Sequence, residues 1–142
     1  MKIYSDTSFL VSLYSPDANS AAAARTMRAS AGERFVSVFG QLEVVNAMEL
    51  RVFRKEVSAT QAQASLNDFE RDLLAGVFQL RALPEEVFER ARQLSRQTTH
   101  KLGTRTADLL HVATALELSA DCLYTFDQQQ RKLAQTMRLK LN

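Results

Sequence analysis

A single cysteine, Cys122, stands in the 142 residues. It has no partner for an internal disulfide and is too little for a cysteine-based zinc cluster. No apolar run comes near the roughly 20 residues that a bilayer-spanning helix needs. The first residues carry Lys2 but no apolar stretch leading to a small-residue cleavage site. No signal peptide is therefore expected, and a cytoplasmic location is. Asn-Gly and similar hairpin dipeptides are missing, as are repeats and low-complexity tracts. Acids are absent from two long stretches. Arg90, Arg92, Arg96, Lys101 and Arg105 follow one another with no acid between them, and Arg131, Lys132, Arg138 and Lys140 do the same after Asp127. Net charge is only +2, so these basic stretches read either as local phosphate-holding segments or as solvated helix faces.

With 46% hydrophobic and 24% charged residues, the composition is that of one soluble domain with a real core. Residues 2–5 read as a strand, and 7–14 as a helix entered through Asp6. An Ala-rich helix follows the Ser15-Pro16-Asp17 turn and stops at Gly32. The β-branched and aromatic stretch at 35–38 reads as a second strand. Two helices come next, at 41–55 and, behind a Ser58 N-cap, at 59–75. A third strand is expected at 77–81 and a helix from Pro84 to Gln97, with Glu85 and Glu86 in its first turn. TTHKLG reads as a loop, including His100, and Thr104 or Thr106 as the cap of the helix after it. CLYTF is the fourth strand, Asp127 opens the last helix, and MRLKL ends the chain as a fifth strand. Strands alternating with helices predict an α/β fold with a parallel sheet covered by helices.

Ligands of an open parallel sheet bind outside the carboxyl ends of its strands. Asp6 follows the first strand and Asp127 the fourth, so both reach that edge. Asp108 opens an otherwise apolar helix, and Glu43 sits in the opening turn of the helix after the second strand. Each alone reads well as a cap or a dipole partner, worth about 1 kcal/mol or less. Four carboxylates at one edge repel one another unless a cation is present. All-oxygen ligation suits Mg²⁺, with Mn²⁺ as substitute, better than zinc.

DTSFL after the first strand, LEVVNAMELR with Glu43, TADLLHVATALEL with Asp108 and LYTFDQQQRKLA with Asp127 together resemble the PIN-domain family. The last two blocks are similar to its VapC-like toxin branch. The resemblance implies a three-layer α/β/α sandwich with a central, mostly parallel sheet, as a single domain over the whole chain. It implies a metal-dependent endoribonuclease in which Asp6, Glu43, Asp108 and Asp127 hold one or two Mg²⁺ ions, with Asp6 and Asp108 the most direct ligands. The implied substrate is tRNA, rRNA or mRNA. The implied partners are a second copy in a homodimer and a cognate antitoxin whose tail enters the groove, and no membrane.

Around this quartet, Thr7, Ser8 and Thr125 are candidates to hold the carboxylates, or plain capping hydroxyls. Arg105 is a candidate for RNA phosphate or for pairing with the acids. His111, one helical turn after Asp108, reads as a packing or supporting residue rather than a ligand. Glu49 lies nearly two turns beyond Glu43 and too far from the strand ends. Tyr4 and Tyr124 read as core. Two departures from the family pattern stand out: no glycine precedes the final strand, and 56–80 carries no signature. The competing reading is a non-catalytic PIN-like RNA-binding or scaffold protein, against which the presence of all four acids argues. A haloacid-type phosphatase is excluded because Ser8 stands where it needs a second acid.

Overall fold

A computed structural model describes all 142 residues. Five strands form one sheet: β1 (Lys2–Ser5), β2 (Glu33–Ser37), β3 (Gln79–Arg81), β4 (Cys122–Tyr124) and β5 (Lys140–Leu141). The order is β3-β2-β1-β4-β5 and every pairing is parallel. Tyr4 lies opposite Phe35 on one side and Leu123 on the other. The strands after β1 are laid outward on one side, then the chain returns to fill the other. The order therefore reverses between β1 and β4, and a crevice at the carboxyl ends belongs there.

Both faces are covered. Helices α1 (Thr7–Tyr14), α2 (Ser20–Ala29), α3 (Val38–Phe53) and α4 (Ala59–Leu74) lie on one side. Helices α5 (Glu85–Leu94), α6 (His100–Leu102), α7 (Thr106–Glu117) and α8 (Gln128–Thr136) lie on the other. Strand alternation sorts the side chains between the layers. Tyr4, Phe35 and Leu123 pack with Val87, Leu94, Val112 and Leu133. Val36 turns the other way, into Leu10, Val44, Met48, Leu66, Phe69 and Phe78. Ile3, Cys122 and Tyr124 meet Phe9 and Ala23 in a third cluster. The architecture is the three-layer α/β/α sandwich that the sequence implied, and Tyr4 and Tyr124 are core residues.

Several local expectations shift. The second strand begins at Glu33 and ends at Ser37, because the Ser37 hydroxyl accepts from the Gly40 N–H at 2.9 Å and starts α3 at Val38. TTHKLG is not a loop: α5 continues through a π-helical turn, Ser95–Thr99, into α6, and ends at Gly103 in the left-handed region. Thr98 bonds back to the Leu94 carbonyl at 2.7 Å inside this rod, as helical threonines do. Neither Thr104 nor Thr106 caps α7. Thr104 is buried with an unpartnered hydroxyl, and Thr106 is already helical. Asp108 does the work from inside, accepting the Arg105 N–H at 3.2 Å. No glycine is needed before β5, since Arg138 itself takes the left-handed conformation, with φ of 60°. No helix is long and apolar enough to cross a membrane.

Candidate active site

A groove of about 570 Å³ opens at the carboxyl ends of the strands. Thr7 and Ser8 of α1, Glu43, Ala47 and Arg51 of α3, Arg105, Asp108, Asp127 and Gln130 line it. Asp6 lies beneath, fully buried. The four acids come from four different parts of the chain and reach the same edge: Asp6 and Asp127 at strand ends, Asp108 in the first turn of α7, and Glu43 in the second turn of α3 rather than its opening turn, because α3 starts at Val38.

Asp6 is the N-cap of α1 and more. Its Oδ1 accepts from the Phe9 N–H at 2.9 Å, both oxygens accept from the Ser8 hydroxyl, and Oδ2 accepts from Thr125 at 2.7 Å. Burial nevertheless pushes its carboxyl above the ordinary range, and nearby His111 and these donors only oppose the shift. Thr125 in turn accepts the Asp127 N–H at 3.0 Å, which ties the loop after β4 to the acid after β1. Asp127 caps α8 through the N–H groups of Gln129 and Gln130. Ser8, in the first turn of α1, and Thr125, just after β4, thus both hold the Asp6 carboxylate.

Glu43 is bound by the Thr7 hydroxyl at 2.6 Å and by His111 Nε2. Half-burial pushes its carboxyl up, but His111, through its contact and its field, then the Thr7 hydroxyl and the nearby Arg105 charge outweigh it and hold Glu43 below the ordinary range. Arg105 spans the other two acids, 3.5 Å from Asp108 and 3.2 Å from Asp127. Asp108 itself is buried against the start of α7. Glu49 is exposed and does not line the groove.

The basic stretches disperse. Arg90 pairs with Glu117 and Arg92 with Glu89, while Arg131 is bonded to the Thr125 carbonyl at 2.9 Å and to Asn142. Of the first stretch only Arg105 reaches the groove. The groove's other cation, Arg51, was not anticipated. It bonds Asp17 at 3.1 Å and Ser15 at 2.8 Å at the far end. Glu43, Ala47 and Arg51 stand at i, i+4 and i+8 on α3, one helix face, and that spacing was the available signal.

The fold and this convergence of acids point to one family. Residues 3–135 match the PIN domain. The chain belongs to that family. The PIN domain described here is similar in structure to the sarcin-ricin loop cleaving toxin VapC20 of Mycobacterium tuberculosis, with a TM-score of 0.71 and 19% identity over 92% of this chain and 93% of that one. It is similar to VapBC-1 of nontypeable Haemophilus influenzae, with a TM-score of 0.67 and 16% identity over 100% and 97%. A third likeness is to VapBC2 of Rickettsia felis, bound to a promoter DNA fragment, with a TM-score of 0.68 and 18% identity over 100% and 98%. No curated protein matches the sequence.

The donors around the groove of this PIN domain suit a hard divalent cation: they are carboxylate oxygens, and one of them is a buried acid whose charge is otherwise costly. As the side chains stand, no three acids or histidines are gathered closely enough to chelate one ion. Arg105 draws on Asp108 and Asp127, and His111 draws on Glu43, so assembly requires these contacts to loosen.

Proposed function

We propose that this protein is a metal-dependent endoribonuclease, acting in the cytoplasm as the toxin of a toxin–antitoxin pair. One observation carries the reading: Asp6, Glu43, Asp108 and Asp127 converge from four elements on a groove at the sheet's switch point. Membership of the PIN family and likeness to structures of VapC and VapBC proteins support it, and the latter support an antitoxin as partner.

In this reading the four acids hold one or two Mg²⁺ or Mn²⁺ ions. Bound there, the ion supplies an acidified water and neutralises charge on the scissile phosphate. The chain does the rest. Ser8 and Thr125 hold Asp6 in place, and Thr7 holds Glu43. Glu43 or Asp127 orients the attacking water and accepts its proton at a free carboxylate oxygen. Arg105 moves from the acids to the RNA backbone, and Arg51 lies where a flanking phosphate would pass. The RNA is a tRNA, rRNA or mRNA, and the protein works as a homodimer.

The test is cleavage of a labelled RNA pool by wild type and Asp108→Asn, with Mg²⁺, Mn²⁺ or EDTA. Discrete fragments from wild type alone, lost with EDTA, are expected, with the variant at least about 100-fold slower. Equal cutting by the variant would sink the assignment. One observation favours a non-catalytic RNA-binding protein: Arg105 already neutralises Asp108 and Asp127. RNA binding without cleavage at any metal concentration is its signature.

A further inference from the structure

A hydrogen-bonded chain runs behind the groove from the start of α3 to Glu43, and its direction can be worked out. The Gly40 backbone N–H can only donate, and it donates to Ser37 Oγ at 2.9 Å. The Ser37 hydroxyl has one other partner, Tyr4 Oη at 2.9 Å, so its own proton goes there. Tyr4 then passes its proton to His111 Nδ1 at 2.9 Å, the one other group hydrogen-bonded to its Oη, while the neighbouring Thr114 hydroxyl is bonded to the Leu110 carbonyl at 2.6 Å. Nδ1 is therefore an acceptor and carries no proton. The imidazole proton sits on Nε2, which faces Glu43 Oε1 and, at 3.3 Å, the Thr7 hydroxyl. Run the other way, the chain leaves the Ser37 proton with no acceptor in the core. Ser37, Tyr4 and His111 are all buried, so water cannot relieve such a mismatch. The absence of a side chain at Gly40 makes room for it: a Cβ there would stand 3.3 Å from Ser37 Oγ and 3.7 Å from the His111 ring.

We propose that His111 is a positioning residue for Glu43, locked as the neutral Nε2–H tautomer by Tyr4 and Ser37, and that this lock presents Glu43 to a divalent cation. The inference rests on Glu43 belonging to the metal site. His111 Nε2 and the Thr7 hydroxyl both bond Oε1 of Glu43, so the carboxylate is aimed from one side and Oε2 is left for a ligand. Histidine aims the carboxylate, tyrosine aims the histidine, and the α3 cap aims the tyrosine. The arrangement inverts the usual one, in which a carboxylate orients a metal-bound histidine.

The test has two readouts on the same ¹⁵N-labelled, metal-free protein. Long-range ¹H–¹⁵N correlation should give His111 as the Nε2–H tautomer in wild type and as a mixture in Tyr4→Phe. Mn²⁺ titration followed by electron paramagnetic resonance should show binding weaker by about 10–100-fold in Tyr4→Phe and His111→Leu. His111→Gln, whose amide can still donate to Glu43, should recover to within a few-fold of wild type, which a merely space-filling role would not produce. An Nδ1–H or doubly protonated ring in wild type overturns the proposal. So does Mn²⁺ affinity unchanged in both Tyr4→Phe and His111→Leu. A wild type with the expected tautomer that binds no Mn²⁺ and cuts no RNA removes the nuclease reading instead, and leaves the tautomer assignment intact.

Discussion

Asp6 is asked to be both a cap and a charge in a place without water, and its thermodynamics should reflect the conflict. Burial raises its folded-state pKa above the unfolded one. At low pH the carboxyl is protonated in both states and adds no penalty. As pH rises, the unfolded chain gives up that proton first, so stability falls across the window between the ordinary and the raised value and stays lowered above it. Metal-free Asp6→Asn, which never ionises, should therefore melt higher than wild type at pH 7.5, with the gap closing toward pH 3.5. A wild type that melts higher at pH 7.5 would mean that the Ser8, Thr125 and Phe9 donors outweigh burial. Arg105 makes the opposite case. Its guanidinium is largely exposed, so its ion pairs add little to stability. Arg105→Ala should leave stability within about 0.5 kcal/mol of wild type, tighten Mn²⁺ binding, and raise KM for RNA. Unchanged KM and Mn²⁺ affinity would remove Arg105 from the site. Asp6, Asp108 and Asp127 were legible in the sequence because carboxylates at strand ends and in first turns obey simple position rules, whereas Glu43 reaches the groove from the second turn of α3. Arg51 was not, since its relevance depends on which face of α3 turns toward the groove.

Helices and strands were legible where the pattern is strong and blurred where one side chain decides the boundary. The Ser58 cap is the clear success. Its hydroxyl accepts the Gln61 N–H at 3.0 Å and the Gln61 side chain returns to the Ser58 N–H at 2.8 Å. Ser58→Ala should cost about 1 kcal/mol in urea unfolding and leave cleavage untouched, because α4 starts far from the acids. The rod from α5 to α6 is the clear failure. A polar TTHKLG invites a loop reading, yet Thr98 and Thr99 bond within the helix and the extra residue of a π turn is absorbed. The stretch without a sequence signature, 56–80, builds core rather than site. Leu66, Phe69 and Phe78 pack against Val44 and Met48, behind the helix that carries Glu43. Phe69→Ala should cost about 3–5 kcal/mol by leaving a cavity there. It should lower activity only as far as unfolding does, which near-wild-type cleavage per folded molecule at 15 °C would verify.

Across the whole chain, the alternation of strands and helices was enough to predict a parallel sheet and the edge at which the acids lie, since those follow from chain order rather than from fine packing. Of the two roles offered for Arg105, pairing with the acids is the one seen, and His111 likewise engages Glu43 as a supporting residue. A cation that binds the folded chain alone must stabilise it. At 100 times the Kd of the site, Mn²⁺ should add about 2.7 kcal/mol to the stability of wild type. It should add far less to Asp108→Asn, as read by thermal melts with and without EDTA. The sheet order has a consequence in time. The central strand β1 is made before the other four strands, and its neighbour β4 only after β2 and β3. Asp6 and Thr125, bonded in the finished protein, are 119 positions apart. At 5–20 residues per second, about 6–24 s of translation separate them. A growing chain therefore cannot close its acid cluster before Thr125 and Asp127 have been made, long after Asp6 and its strand.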